Sequence, residues 1–135
     1  MATLNYKVSG AWTPIAGDVN ATNPINDFIS QNTPGPWTAI TLVNSWVNYG
    51  ATYQPARYRK IGDIVYIEGM IKQGVIGATP FATLPVGFRP VFDRQFGTVS
   101  ANNFGMVQVS SNGTMLPITG NAANLSLDGI LFSTL

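Results

Sequence analysis

From Trp37 onward apolar and polar side chains alternate with a period of two, and turn residues interrupt the alternation about every eight to twelve positions. Successive side chains of a strand point to opposite faces, so this pattern predicts short strands with one buried face. It is clearest in 63–72, where Val65, Ile67, Gly69 and Ile71 fall on one side and Tyr66, Glu68, Met70 and Lys72 on the other. One face should be dry and the other mixed. Thr38, Ile40 and Leu42 share a face of an earlier strand, and Ala56 to Ile61 forms a hairpin with 63–72 around Gly62-Asp63. Thr79 to Leu84, Gln95 to Ala101, Gly105 to Ser110, Thr114 to Thr119 and Leu125 to Thr134 complete the set. Ser111-Asn112-Gly113-Thr114 is the strongest hairpin turn, and Asp128-Gly129 reads as a bulge. The expected fold is all-β: an antiparallel, jelly-roll-like β-sandwich of roughly seven to nine short strands, spanning residues 37–135.

Residues 1–36 do not share this pattern. Tyr6 to Ile15 predicts a hairpin turning at Ser9-Gly10, and 17–33 is rich in Asn, Asp, Thr and Pro. Pro24 to Ser30 predicts a turn of helix, with Asn23 as its N-cap and Pro24 at the first helical position. Nothing here makes a core, so 1–36 reads as an arm ending at Pro34-Gly35-Pro36. Trp12, Phe28 and Ile29 need burial, which predicts docking on a neighbour.

Between two expected strands, Leu84-Pro85-Val86-Gly87-Phe88-Arg89-Pro90 packs two prolines, a glycine and an arginine into one loop. Pro85 and Pro90 fix φ and lack an N–H, Gly87 permits a tight turn, and Phe88 pins the loop to the core. Arg89 is placed to tie the loop to backbone carbonyls. Pro85, Gly87, Arg89 and Pro90 therefore read as a structural clasp.

Composition narrows the chemistry. Of 135 residues 45% are hydrophobic, which argues for a packed domain; only 10% are charged, against about 25% in a typical soluble domain. Neutral Asn, Thr, Ser and Gln must keep the surface wet, a mixture that fits an extracellular or virion surface. A net charge of +1 offers no field for nucleic acid or an anionic membrane. Without histidine there is no imidazole base or triad, and without cysteine no thiol nucleophile, thiolate metal site or disulfide. No apolar run reaches the roughly 20 residues of a membrane span. The first residues lack the basic-then-apolar plan of a signal peptide, so an extracellular role would require release by another route, such as lysis.

The acids Asp18, Asp27, Asp63, Glu68, Asp93 and Asp128 each have a structural explanation, so no catalytic residue is expected. The oxygen-rich segment 18–23 has a single carboxylate and reads as a turn, so neither metal nor cofactor is expected. Binding is the better-supported activity. Tyr49, Tyr53 and Asn48 lie in a loop with Asn44, Trp46 and Gln54, a mix of ring faces and neutral hydrogen-bonding groups suited to saccharides. Trp46 reads as core, while Tyr49 and Tyr53 either stack on a ligand or cover a subunit contact. Arg57 and Arg59 could bind acidic glycans, but cross-strand pairing with Glu68 or Asp63 is the simpler reading.

Four strings then occur in order: Trp37 to Leu42 with Asn44-Ser45-Trp46, Tyr58 to Gly69, Leu84 to Pro90, and Leu127-Asp128-Gly129-Ile130-Leu131-Phe132. Together they resemble the C-terminal β-sandwich of bacteriophage tail-fibre, receptor-binding and head-fibre proteins, over roughly residues 37–135. Ser45 and Glu68 depart from the glycine and the basic or polar residue expected there, so no binding site is carried over. Tyr6 to Pro14 resembles a hairpin recurring in phage structural proteins as an attachment element, with Ser9 replacing a glycine and Thr13 a lysine. The resemblance implies a homotrimeric virion appendage, a fibre tip or head fibre, assembled in the host cytoplasm. Tyr66 and Met70 would then serve a subunit interface, and Tyr6, Trp12 and Phe28 attachment to other virion proteins. A host-surface glycan is the implied ligand. The alternatives are a capsid decoration or connector protein without a ligand and, least favoured, a polysaccharide depolymerase.

Overall fold

A computed structural model describes residues 5–8, 11–14 and 24–135. The chain divides between Thr33 and Pro34 into two units. In the first, β1 (Asn5–Val8) and β2 (Ala11–Pro14) form an antiparallel pair with Tyr6 opposite Thr13 and Lys7 opposite Trp12. Helix α1 (Pro24–Asn32) follows. It continues past the expected end at Ser30 and finishes with side chains on its carbonyls: Asn32 Nδ2 donates to Phe28 O at 2.8 Å and Thr33 Oγ1 to Ile29 O at 2.5 Å. The Ser9-Gly10 turn, the Asn23 cap and the oxygen-rich segment 18–23 lie outside the described residues.

The second unit is an antiparallel β-sandwich. Its strands are β3 (Thr38–Ala39), β4 (Val47–Asn48), β5 (Arg57–Ile61), β6 (Ile64–Glu68), β7 (Met70–Lys72), β8 (Ala82–Thr83), β9 (Arg94–Ser100), β10 (Asn103–Val109), β11 (Thr114–Thr119), β12 (Leu125–Ser126) and β13 (Ile130–Ser133). A long sheet has the order β8-β11-β10-β9, a front sheet β13-β6-β5-β3, and a corner sheet β12-β7-β4. All three contribute to one core: Val107, Val109 and Met115 come from the long sheet, Val65, Ile67, Ile130 and Phe132 from the front sheet, and Ile71 and Leu125 from the corner sheet. Phe81, Leu84, Leu127 and Trp46, from the connections, join the same core. Each fully buried side chain of this size contributes about 1.5–3 kcal/mol through water removal.

Eleven strands stand where seven to nine were expected, because two long strands are broken and one lies in a presumed loop. The expected strand 63–72 passes from the front sheet to the corner sheet at Gly69, whose φ is +136°. Its partner 125–134 breaks at 127–129. Ser126 stands opposite Met70 and Ile130 opposite Ile67, so three residues face two, and the excess residue is a bulge at Asp128-Gly129. Two bonds close this corner: Leu127 N donates to Gly69 O, and Gly69 N to Asp128 Oδ1, each at 2.8 Å. The inside–outside alternation of 64–72 survives the bend, with Val65, Ile67, Gly69 and Ile71 buried.

The first strand pairs only through Thr38 and Ala39, since Asn44 and Ser45 soon turn the chain with φ of +55° and +70°. Ser45, where glycine was expected, adopts the left-handed backbone that glycine favours. The hairpin β9–β10 turns on Ala101-Asn102, both at positive φ (+48° and +63°), so β10 begins at Asn103 and not at Gly105. Asn124 Oδ1 accepts from Ala101 N at 2.7 Å and braces that turn. Behind it the buried Ser100 Oγ donates toward Asn124 O (2.7 Å) and accepts from Asn121 N (2.7 Å), satisfying a hydroxyl that would otherwise be costly to bury.

Candidate functional site

The loop 84–90 is held from several sides. Leu84 N donates to Gly113 O and Arg89 Nε to Leu84 O, both at 2.8 Å. Lys60 Nζ donates to Gly87 O at 2.8 Å, and the Phe88 ring meets Tyr58 edge-on at 5.1 Å. A side chain at Gly113 would strike Leu84 O at 2.4 Å, so the Asn112-Gly113 turn is also the seat of this loop. Arg89→Met removes the one donor given to Leu84 O by the arginine. It is expected to lower stability by about 1 kcal/mol, read as a drop of roughly 4–8 °C in Tm by circular dichroism.

The aromatic loop 44–54 separates into parts. Trp46 is core, 2% exposed, with its ring 6.3 Å from Phe81 and against Gly74. Asn48 Oδ1 accepts from Ala56 N at 2.8 Å, which ties this side chain to the chain crossing beside it. Tyr49 and Tyr53 pack edge to face at 5.0 Å, and Lys72 Nζ lies 4.9 Å from the Tyr49 ring centre. Tyr53 is half exposed. Gln54 leaves this group and lines a different surface.

That surface is the outer face of the front sheet. The tight turn at Gly62-Asp63 sets Ile61 opposite Ile64, and the register then places Arg59 opposite Tyr66 and Arg57 opposite Glu68. Arg57 Nε and Nη2 both reach Glu68 Oε1, at 2.6 and 2.5 Å. The Trp37 ring lies under both guanidiniums, 4.2 Å from that of Arg57 and 4.7 Å from that of Arg59. Arg59 also donates through Nε and Nη2 to Gly35 O at 3.1 and 3.0 Å. Next to this stack runs a groove of about 500 Å³, whose lining combines Trp37, Gln54, Arg59, Tyr66, Glu68 and Asp128 with the aliphatic side chains of Ile61, Ile67, Ile130 and Leu131. Sequence reasoning assigned Tyr66 to a subunit contact and paired Arg57 with Glu68 or Asp63; it did not gather Tyr66, Trp37 and Asp128 into one site. Met70, paired with Tyr66 in the sequence reading, lies beyond the Gly69 bend in the corner sheet.

The outer face of the long sheet differs. Val99 stands opposite Phe104, and Met106, Leu116 and Ile118 continue the same face, with Gln95 Nε2 donating to Gln108 Oε1 at 3.1 Å. Phe104 is 61% exposed and Val99 58%. Among the described residues no charged side chain stands on this face of β9, β10 and β11. In the first unit, Phe28 is also well exposed; Tyr6 and Trp12 belong to β1 and β2. Among the described residues no group of three or more His, Cys, Asp or Glu could hold a metal ion, and no helix is long and apolar enough to cross a membrane.

These features define an antiparallel β-sandwich with a groove of mixed polar and apolar lining on one outer face and an uncharged, largely apolar strip on the other. The fold is similar to that in the crystal structure of the receptor binding protein (gp15) of Listeria phage PSA, with a TM-score of 0.65 and 23% identity over 81% of this chain and 70% of that one. No protein-family model and no curated protein sequence matches the chain.

Proposed function

We propose that this chain is a non-enzymatic structural protein of a bacteriophage virion. Its sandwich is displayed as a homotrimer at a fibre tip or head fibre and contacts glycans of the host surface. The likeness of the sandwich to a phage receptor binding protein carries this reading. The N-terminal unit, with exposed Phe28 and the Tyr6 and Trp12 hairpin, holds the chain on its virion. Self-association is better served by the long sheet than by Tyr66 and Met70. The strip around Val99 and Phe104 can meet a second copy without stranding a charge, whereas Tyr66 neighbours the Arg57–Glu68 pair.

The test is made on particles from the lysate that produces this chain. Mass spectrometry and immunogold labelling should find it on purified virions, and excess purified protein should block their adsorption to host cells. Absence from purified particles overturns the virion reading. Labelling without any block of adsorption makes it a decoration protein. Deleting residues 1–33 keeps the Gly35 contacts to Arg59 and Lys60 and should abolish incorporation while the sandwich stays folded.

A further inference from the structure

We infer that the groove beside Trp37 on the front sheet is the glycan site, and that it takes an uncharged, hydroxyl-rich saccharide. This rests on the reading of the chain as a glycan-contacting virion protein. The sequence alone favoured the loop of Tyr49 and Tyr53, but there the two rings pack edge to face on each other and Asn48 Oδ1 is taken by Ala56 N, which leaves fewer groups facing a ligand than the groove does. In the groove the chemistry is unspent. Glu68 uses Oε1 for both Arg57 donors and keeps Oε2; Asp128 uses Oδ1 for Gly69 N and keeps Oδ2. The Tyr66 hydroxyl makes no hydrogen bond among the described residues.

The open positions are the second oxygens of Glu68 and Asp128, the Tyr66 hydroxyl and the remaining Arg59 N–H groups, in a groove with an aromatic wall. A sugar matches them, with hydroxyls that donate and accept around its rim and C–H faces for the rings. Arg57 is paired with Glu68, and Arg59, which gives Nε and Nη2 to Gly35 O but keeps its charge, is matched by Asp128, so the groove has no net positive charge to draw a phosphate or sulfate. An anionic glycan is disfavoured for that reason. The two arginines over Trp37 also hold the indole in place before any ligand arrives, which lowers the ordering cost of binding. A volume of about 500 Å³ falls within the size range of ligand sites.

The experiment uses the full chain on an array of uncharged bacterial oligosaccharides printed beside phosphorylated and sulfated ones, followed by calorimetry with the best-retained sugar. Uncharged sugars should be retained and the anionic ones not. Tyr66→Phe and Asp128→Asn should each weaken the affinity about tenfold, the scale of one lost hydrogen bond to a ligand. Asp128→Asn keeps the Oδ1 acceptor for Gly69, and melting curves equal to wild type show that the fold is intact. Val75→Ala, in the exposed loop between β7 and β8, should bind as wild type. Preferential retention of anionic glycans overturns the inference. Wild-type affinity in both groove variants, with loss on Tyr53→Ala, moves the site to the loop and leaves the virion reading standing. Retention of no sugar removes the site, and the adsorption experiment then decides the virion reading separately.

Discussion

Replacing Gly69 by alanine is expected to destabilise the sandwich by about 3–5 kcal/mol, a large part of the roughly 5–15 kcal/mol that holds a domain of this size together. Two effects combine. The backbone there has φ of +136°, a conformation that L side chains rarely adopt. A methyl group would also stand 2.5 Å from Ala56 Cα and 2.7 Å from Ala56 N, where the obstacle is backbone that the Asn48 and Ile40 bonds hold in place. Gly77 separates the two. Its φ is +138° with nothing within 4 Å of a built Cβ, so Gly77→Ala carries the conformational term alone, about 1–3 kcal/mol. Thermal melts of the two variants should differ by roughly 10 °C or more. Equal melting temperatures would mean that the corner at Ala56 yields easily, and that the close approach stores no stability.

The second large effect concerns assembly. Wild-type protein should scatter light as a trimer, and Phe104→Asp should scatter as a monomer. Phe104 is already 61% exposed in the single chain, so the substitution removes no core packing and should leave the melting of a dilute sample unchanged. In an apolar contact the carboxylate would be desolvated without a partner, at a cost of several kcal/mol per subunit, which corresponds to at least about a hundredfold weaker association. A monomeric wild type would end the trimer proposal. A Phe104→Asp protein that remains trimeric would place the contact elsewhere, with Tyr66 and Met70 the next residues to change.

Much of the sandwich is legible along the chain wherever local rules decide. The alternation of 64–72 assigns every side chain to its observed face, and Asn112-Gly113 and Gly62-Asp63 turn where expected. The Arg57–Glu68 pair follows by counting outward from a tight turn. What is not legible depends on distant chain. Gly69 fits the inward phase of the alternation, so nothing near it announces a bend; the bend exists because Ala56 lies against it and Asp128 accepts its N–H. Ala101 carries no turn signature, yet it takes a left-handed backbone because Asn124, far along the chain, accepts its N–H. The groove is harder still to foresee. Trp37, Glu68 and Asp128 meet only once β13 has paired with β6 and β3 with β5.

The passage of β6 into β7, and of β12 into β13, has a mechanical meaning for a domain that is pulled. Front and corner sheets are joined most directly by these two short passages, besides the longer β3–β4 and β4–β5 connections, so tension between them runs through peptide bonds before it reaches the ladders. The layer cannot come apart by sliding one sheet off the other. It must first unzip the paired strands at the bulge, where Leu127 N, Gly69 O, Gly69 N and Asp128 Oδ1 are coupled side by side and would have to fail together. In the virion role proposed above, a chain held to the particle at one end and to a cell at the other would carry its load through this hinge of unbroken backbone.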